Sequence, residues 1–434
     1  VVIKQIIRSQ NVGSKDFPLT LSQKGILPNK YKWHQYLRDQ IGYYFFKAAS
    51  LCTDPSCKID EIKTTLSISN KHIFAKKAPS GFQKSLRKVS LVSQALLLAP
   101  LSLALGPFSM LFRLLGYGIQ YSDFNYFKGK VLEKPFPTNG KISTFFLNTC
   151  FIGGGYPYTH GGVLPWTQRI KKISSNIIEN DPDVVCLSEA YDFKAALKLY
   201  DNLKDNYSHF YLNIGPHYFA AKSGLFVASK FKIKNPHFID FHNTLVHNKG
   251  TNRRGAFAID LLDQDDKTLS KIYANHFEYS LNDSKPSDDE ILARKGEVDL
   301  ILSDLQKTTK EKEIDYPVLL TGDFNFKPEE FSETSLINHF SKTNTDIVGT
   351  GITGTCRREE FIKALFDDEI LIDDDKDKKD AHDLDHTFIM SKSFDKKDLK
   401  RYDISTNLVK SFEKETPILG ALSDHHGLIT EISV

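Results

Sequence analysis

"PVLLTGDFNFKP", Pro317 to Pro328, is the stretch on which the reading of this chain turns. An apolar run of strand-forming residues stops at Gly322, and Asp323, Phe324 and Asn325 follow at once. Side chains of a strand alternate between its faces. Continued extension would therefore aim Asp323 and Asn325 the same way and return Phe324 to the core. A carboxylate and a carboxamide side by side at the mouth of a buried strand suit chemistry better than packing.

The same arrangement recurs along the chain. After Lys141 the texture alternates between strand and helix signals. "ISTFFLNTC" reads as a strand ending at Asn148, and Trp166 to Asn180 places Ile170, Ile173 and Ile177 on one helical face. "DVVCLSEAYD" is a buried strand ending at Glu189, followed by a helix with Phe193, Leu197, Tyr200 and Leu203 in step. "SGLFVASKF", "GAFAIDLL" and "KIYANHFEY" read as successive strands, the last carrying His276. Residues 290–306 form an amphipathic helix through Ile291, Val298, Ile301 and Leu305. Beyond the opening strand lie an acidic stretch, then "DLDHTFIM" and "LSDHHGLITEI". Asn148, Glu189, His276, Asp323, Asn325, Asp385, Asp424 and His425 all fall where apolar strands end. Sites are assembled at such positions because rigid strands hold groups that face solvent. One aspartate after a strand is usually turn chemistry; eight polar groups in equivalent places ask for a shared function.

Composition bounds that function. The chain has 434 residues, 40% hydrophobic and 26% charged, with a formal net charge of +3, too small to argue for nucleic acid. Five cysteines make no disulfide framework and suit a reducing compartment. Cys52 and Cys57 form a lone C-x4-C with no second pair for zinc. The opening "VVIKQIIRSQ" is too charged for a cleavable signal. Hard oxygen donors such as Glu189 and Asp424 suit magnesium. With two histidines nearby they suit attack of water on a phosphate ester.

Residues 1–135 read differently. "KWHQYLRDQIGYYFFKAAS" has helical spacing. No acidic residue lies between Glu61 and Asp123, a window that holds Lys63, Lys71, Lys76, Lys77, Lys84, Arg87 and Lys88. Val89 to Phe112 then carries no charge at all. Its length would span a bilayer, but Pro100, Gly106 and Pro107 argue for two short apolar helices in an interface or a shallow hairpin. A basic cluster beside an apolar segment is a two-part device for an anionic membrane surface. "VLEKPFPTNGK" reads as a linker at 131–141, before a catalytic domain over 141–434. The loop from Phe151 to Trp166, rich in glycine and aromatics, is either a lid or a plain connection.

Taken in order, "NTC", "CLSEAYD", "NHFEY", "LTGDFN", "LDHTF" and "LSDHHGLI" resemble the endonuclease/exonuclease/phosphatase superfamily of metal-dependent phosphodiesterases. The resemblance implies a four-layer α-β-β-α sandwich of the mixed α/β (α+β) class. It implies that Glu189 binds magnesium beside Asn148, with Asp424 the neighbouring carboxylate. Asp323 and Asn325 would orient water and phosphate. His425 would be the general base, a role Asp323 shares in some branches. Asp385 would hold that histidine, and His276 would assist the transition state or leaving group. His386 and His426 match no role. "CLSEAYD", "KSGLFVASKF" and "NRRGAFAIDL" look most like the neutral sphingomyelinase branch, implying a phospholipid substrate at a membrane surface. A nuclease needs a basic groove, and the acidic "DDEILIDDDKDKKD" opposes one. Inositol polyphosphate phosphatases usually carry an arginine where Phe326 and Lys327 stand. A membrane-binding protein with a vestigial site would be expected to have lost a motif, and here the set is complete.

Overall fold

The computed structural model describes residues 33–69, 81–154, 163–216, 222–247, 253–281, 285–309, 314–326, 328–342, 384–391, 402–411 and 422–434. Residues 20–32, half of the 151–166 loop (155–162) and the acidic 367–380 stretch therefore lie outside the described residues.

Two long helices open the described chain, α1 (Trp33–Ser69) and α2 (Gly81–Ile119). They run antiparallel, and the pairing can be followed from Arg38 Nε donating to the Ile119 carbonyl, through Ser109 Oγ donating to the Ala49 carbonyl, to the Ser56–Ser102 hydroxyl pair. Gly116 permits the close approach: a Cβ there would stand 2.7 Å from the Phe46 ring. The expected break into two short helices is not found, because α2 is continuous through Pro100 and Pro107. Each proline removes one amide donor. The carbonyls left over belong to Leu96 and Leu103, on the exposed side of the helix, while contacts with α1 hold the other side. By length and composition α2 could cross a bilayer.

The rest is a sandwich. One sheet has seven strands: β1 (Asn125–Lys128), β2 (Lys141–Asn148), β3 (Val184–Ser188), β4 (His209–Leu212), β5 (Phe226–Ser229), β12 (Ile404–Val409) and β13 (Gly427–Ser433), in the order β1-β4-β5-β3-β2-β13-β12. The other has six: β6 (Lys232–Asp240), β7 (Gly255–Leu262), β8 (Thr268–His276), β9 (Val318–Asp323), β10 (Phe340–Lys342) and β11 (Asp385–Met390), in the order β10-β11-β9-β8-β7-β6. Between them lies a core of Phe146, Val184, Val227 and Ile432 against Phe257, Ile259, Ile272 and Leu319. Helices α3 (Trp166–Asn180) and α4 (Phe193–Leu203) cover the outer face of the first sheet, where Ile170, Ile173, Ile177 and Leu199 are buried. Each such residue contributes roughly 1.5–3 kcal/mol. Helix α5 (Asp288–Thr309) covers the second sheet with Val298, Ile301 and Leu305. The four layers are therefore α-β-β-α, as the motifs implied.

The first sheet begins upstream of the linker expected at 131–141. β1 pairs with β4 from Asn125↔Leu212 to Lys128↔His209, and Phe124 and Tyr126 enter the inter-sheet core. Four residues are too few to show a period in sequence. The same shortness hid β4 and β10. β6 was hidden by Pro236, which sits at a register shift on the sheet edge, one of the few places a strand tolerates proline.

Candidate active site

Two parallel pairs position the site, one in each sheet. β2 and β3 end together, with Asn148 beside Ser188, and β8 and β9 end together, with His276 beside Asp323. Asp385 and His425 reach the same edge by the opposite route. Asp385 opens β11, which is antiparallel to β9 and pairs there with Asp323. His425 precedes β13, which is antiparallel to β2. The expectation that all eight polar groups follow strand ends is thus corrected: Asp385, Asp424 and His425 stand at strand starts. Antiparallel starts and parallel ends share one edge, so the groups still converge.

Asp385 Oδ2 accepts from His425 Nδ1 at 2.7 Å. The Nε2 of His425 lies 3.4 Å from Asn148 Nδ2, which donates at 2.9 Å to Asp323 Oδ2. His276 Nε2 lies 3.7 Å from Asp323 and 3.9 Å from Glu189, and its Nδ1 is 3.4 Å from the Tyr191 hydroxyl. Ser423 Oγ donates to the Asn148 carbonyl at 2.6 Å and meets Asp424 Oδ1 at 3.2 Å, tying the last motif to the first. The side chains of seven of the eight residues read from the sequence thus converge through contacts to one another or through Ser423. Asn325 joins them through its backbone alone. Its φ of 50° takes it out of the strand, so the extended alternation stops at Phe324. Its backbone N–H donates to Asp323 Oδ1 at 3.0 Å and its Nδ2 to the Phe277 carbonyl at 3.0 Å. Phe324 is fully buried among Phe277, Phe326 and Phe388, the core role expected of it. His386 bonds the Phe326 carbonyl, and His426 accepts from the Ser411 N–H.

Electrostatically the site has an excess of carboxylate. Burial and then Asp385 push Asp323 up to about 7. Burial and then Asp424 push Glu189 up. His276 is pushed well below the usual imidazole value by burial, Arg254 and His425, so at neutral pH it is uncharged and forms no ion pair with either carboxylate. Hard oxygen donors crowded together without a full counter-charge fit a divalent cation. Asp323, Asp385 and His425 offer atoms within 4.8 Å of one another. His425 and Asp385 already bond each other, while Glu189 stands close enough to Asp424 to feel its charge.

Three non-glycine residues at these strand ends are left-handed: Cys150 (φ 49°), Glu189 (φ 56°) and Asn325 (φ 50°). Such backbone costs about 1–3 kcal/mol for most residues and gathers at functional sites. Gly224 makes room for the Glu189 turn, since a Cβ there would stand 2.8 Å from the Tyr191 ring and 3.1 Å from Glu189 Cα.

Sequence reading passed over two buried arginines. Arg169 donates to the carbonyls of Leu164 (2.6 Å), Thr149 (2.9 Å), Cys150 (2.7 Å) and Leu422, clamping the Asn148 segment to the His425 segment. Arg169→Met is expected to lose on the order of 3 kcal/mol in urea unfolding, because several buried carbonyls lose their donor. Arg254 donates to the Phe277 carbonyl that also receives Asn325, and its guanidinium lies 4.6 Å over Tyr279. Only the double arginine of "NRRG" hinted at it.

Behind Arg254, burial above all pushes Glu297 up to about 8, with Glu278 adding to the rise. The folded state therefore holds this proton above the ordinary 4.5, and stability falls as pH rises from about 4.5 to about 8. Glu297→Gln is expected to flatten that fall, gaining on the parent at pH 8 but not at pH 4.5 in paired urea titrations.

Carboxylates, a carboxylate-held histidine and a candidate cation cluster gather at one edge of an α-β-β-α sandwich, an arrangement suited to a phosphodiesterase- or phosphatase-type hydrolase. Residues 148–332 match the model of the Endonuclease/Exonuclease/phosphatase family, whose enzymes act on phosphodiester bonds and generally require a divalent metal, so the resemblance carried by the motifs is borne out over that segment. No curated protein matches the chain. Solved structures similar to it include a truncated TDP2 from Caenorhabditis elegans (14% identity, TM-score 0.45, covering 68% of this chain and 98% of that one). Sphingomyelinase C from Streptomyces griseocarneus (16%, 0.48, 67% and 99%) and the beta toxin of Staphylococcus aureus (15%, 0.43, 67% and 99%) are others.

Proposed function

We propose that the chain is a magnesium-dependent phosphodiesterase that cleaves a membrane phospholipid, sphingomyelin first among them, to ceramide and phosphocholine. The observation that carries the chemistry is the Asp385–His425 pair at 2.7 Å, one hydrogen-bonding residue away from Asp323. An imidazole whose Nδ1–H is held by a carboxylate keeps Nε2 as its proton acceptor. His425 Nε2 would take a proton from water as the water oxygen bonds to phosphorus; the bond from phosphorus to the ceramide oxygen breaks with its electron pair on that oxygen, which takes up a proton to leave as the ceramide hydroxyl. Asn148 and Asp323 would orient the water and phosphate, and neutral His276 would hydrogen-bond to them without adding charge. A magnesium ion held by Glu189, Asp424 and Asn148 would supply neutralisation of the phosphoryl oxygens.

The choice of a lipid rests on the apolar, outward-facing α2 and on the sphingomyelinase-like motifs. The deciding experiment is a release panel on mixed-lipid vesicles, abasic DNA and phosphoinositides, each with magnesium and with EDTA. Magnesium-dependent phosphocholine release from sphingomyelin alone is the expected result. Turnover of DNA or phosphoinositides instead would move the protein to another branch, and vesicle binding without any turnover would make it a binder with a vestigial site.

A further inference from the structure

We infer that α2 lies flat in the surface of an anionic bilayer, as an in-plane anchor, and does not cross it. This deepens the lipid reading, on which it rests for the choice of occupant.

The helix is patterned inside out. Its sheltered positions include Leu91, Ala95, Leu98, Ser102, Leu105 and Ser109, which recur at helical spacing and form the side toward α1. The opposite side, which on a helix facing water would be polar, carries Leu96, Leu97, Leu101, Leu103, Phe108 and Leu111, each about half exposed or more. From Val89 to Ser122 the only charged residue is Arg113. It is half-buried, turned inward and close enough to Asp192 to feel its charge. The outward side therefore shows no charge for about 30 residues, roughly 45 Å of helix. Exposed Arg87 and Lys88 mark the end where it stops being apolar, and no acidic residue lies between Glu61 and Asp123. An uncharged apolar face with cations at its end complements an anionic lipid surface.

What prevents crossing is α1. That helix is paired with α2 along its length, and its other side is fastened to the sandwich. Tyr43 packs on Phe127 and Phe193, Asp54 pairs with Lys194, and Glu61 accepts from Thr167. These contacts run over about 27 Å of α1. For α2 to pass through the hydrocarbon, α1 would have to follow with Asp54, Lys58, Asp60 and Glu61, or the pair would have to separate. Lying in the plane needs neither.

Ser90, Leu97, Ala104 and Leu111 are all exposed and seven residues apart, so they share one side of α2. From first to last they cover about 31 Å, close to the thickness of a bilayer core. Single fluorophores would be attached to cysteines introduced at these four positions, with Cys52, Cys57 and Cys356 replaced by serine. Quenching by lipids doxyl-labelled at fixed depths, in vesicles containing phosphatidylserine, then reads the depth of each. The same shallow depth at all four is the expected result. Depths that run from one leaflet through the bilayer centre to the other would overturn the inference in favour of a span. An absence of quenching together with a doubled mass in sedimentation would overturn it in favour of a second copy of the chain on this face. In a second arm, Leu97→Glu with Leu101→Glu should reduce vesicle flotation at least tenfold. Magnesium-dependent hydrolysis of water-soluble bis(4-nitrophenyl) phosphate should be unchanged. Undiminished flotation of that variant would also overturn the inference. A parent that hydrolyses no phosphodiester would sink the enzymatic reading and leave the depth measurement standing.

Discussion

Replacing His425 by alanine is expected to lower phosphodiester turnover by about 10²–10⁴-fold, the range a positioned general base contributes. The imidazole is buried, its Nδ1 is engaged by Asp385 at 2.7 Å, and its Nε2 lies beside the Asn148 amide that also binds Asp323. The other histidine of the site is not placed in this way: His276 lies 3.7 Å from Asp323, and its Nδ1 faces the Tyr191 hydroxyl and not a carboxylate. The alanine variant also deprives the buried Asp385 of this partner, so some loss of stability is expected alongside the loss of activity. The double variant His425→Ala, Asp385→Asn separates the two effects. It should recover stability in urea unfolding and recover no turnover. A His425→Ala protein that hydrolyses substrate at the parent rate would remove His425 from the mechanism.

The second large effect is expected at Glu189. Without a cation its mostly buried carboxylate, carried on a left-handed backbone, is set against Asp424. Glu189→Gln should therefore leave the metal-free protein as stable as the parent or more so. The same change should abolish the rise in Tm expected of the parent on adding magnesium and cut turnover by about 10³-fold, which corresponds to the several kcal/mol a bound cation supplies. The pairing of the two readouts is diagnostic. A residue that only supported the fold would lower metal-free stability when replaced, and a variant that kept its magnesium-induced shift would show that the cation sits elsewhere.

The two halves of the site were unequally legible. Asp323, Asn148 and His276 stood out because each ends an apolar run long enough to show its period. Asp385 and His425 were placed by motif, and their true position, at the starts of antiparallel strands, came from the sheet. Arg169 and Arg254 were missed because a buried arginine in sequence looks like any surface arginine; only the carbonyls gathered around each reveal its role. Asn325 departs from the expected alternation, because its left-handed backbone ends the extended run one residue early.

The helices, the longer strands and the list of chemistry-bearing residues were determined by local pattern. Periodicity and strand length are properties of neighbouring residues, so they survive in a linear string. Tertiary structure alone decided which strand ends meet, which carboxylates repel each other and which side of α2 is left uncovered. Those are outcomes of contacts between residues far apart in the chain, 277 positions in the case of Asn148 and His425. Pro100 and Pro107 show the same division. Locally they argue for a break, and the helix continues because α1 holds one side of it while the orphaned carbonyls fall on the other.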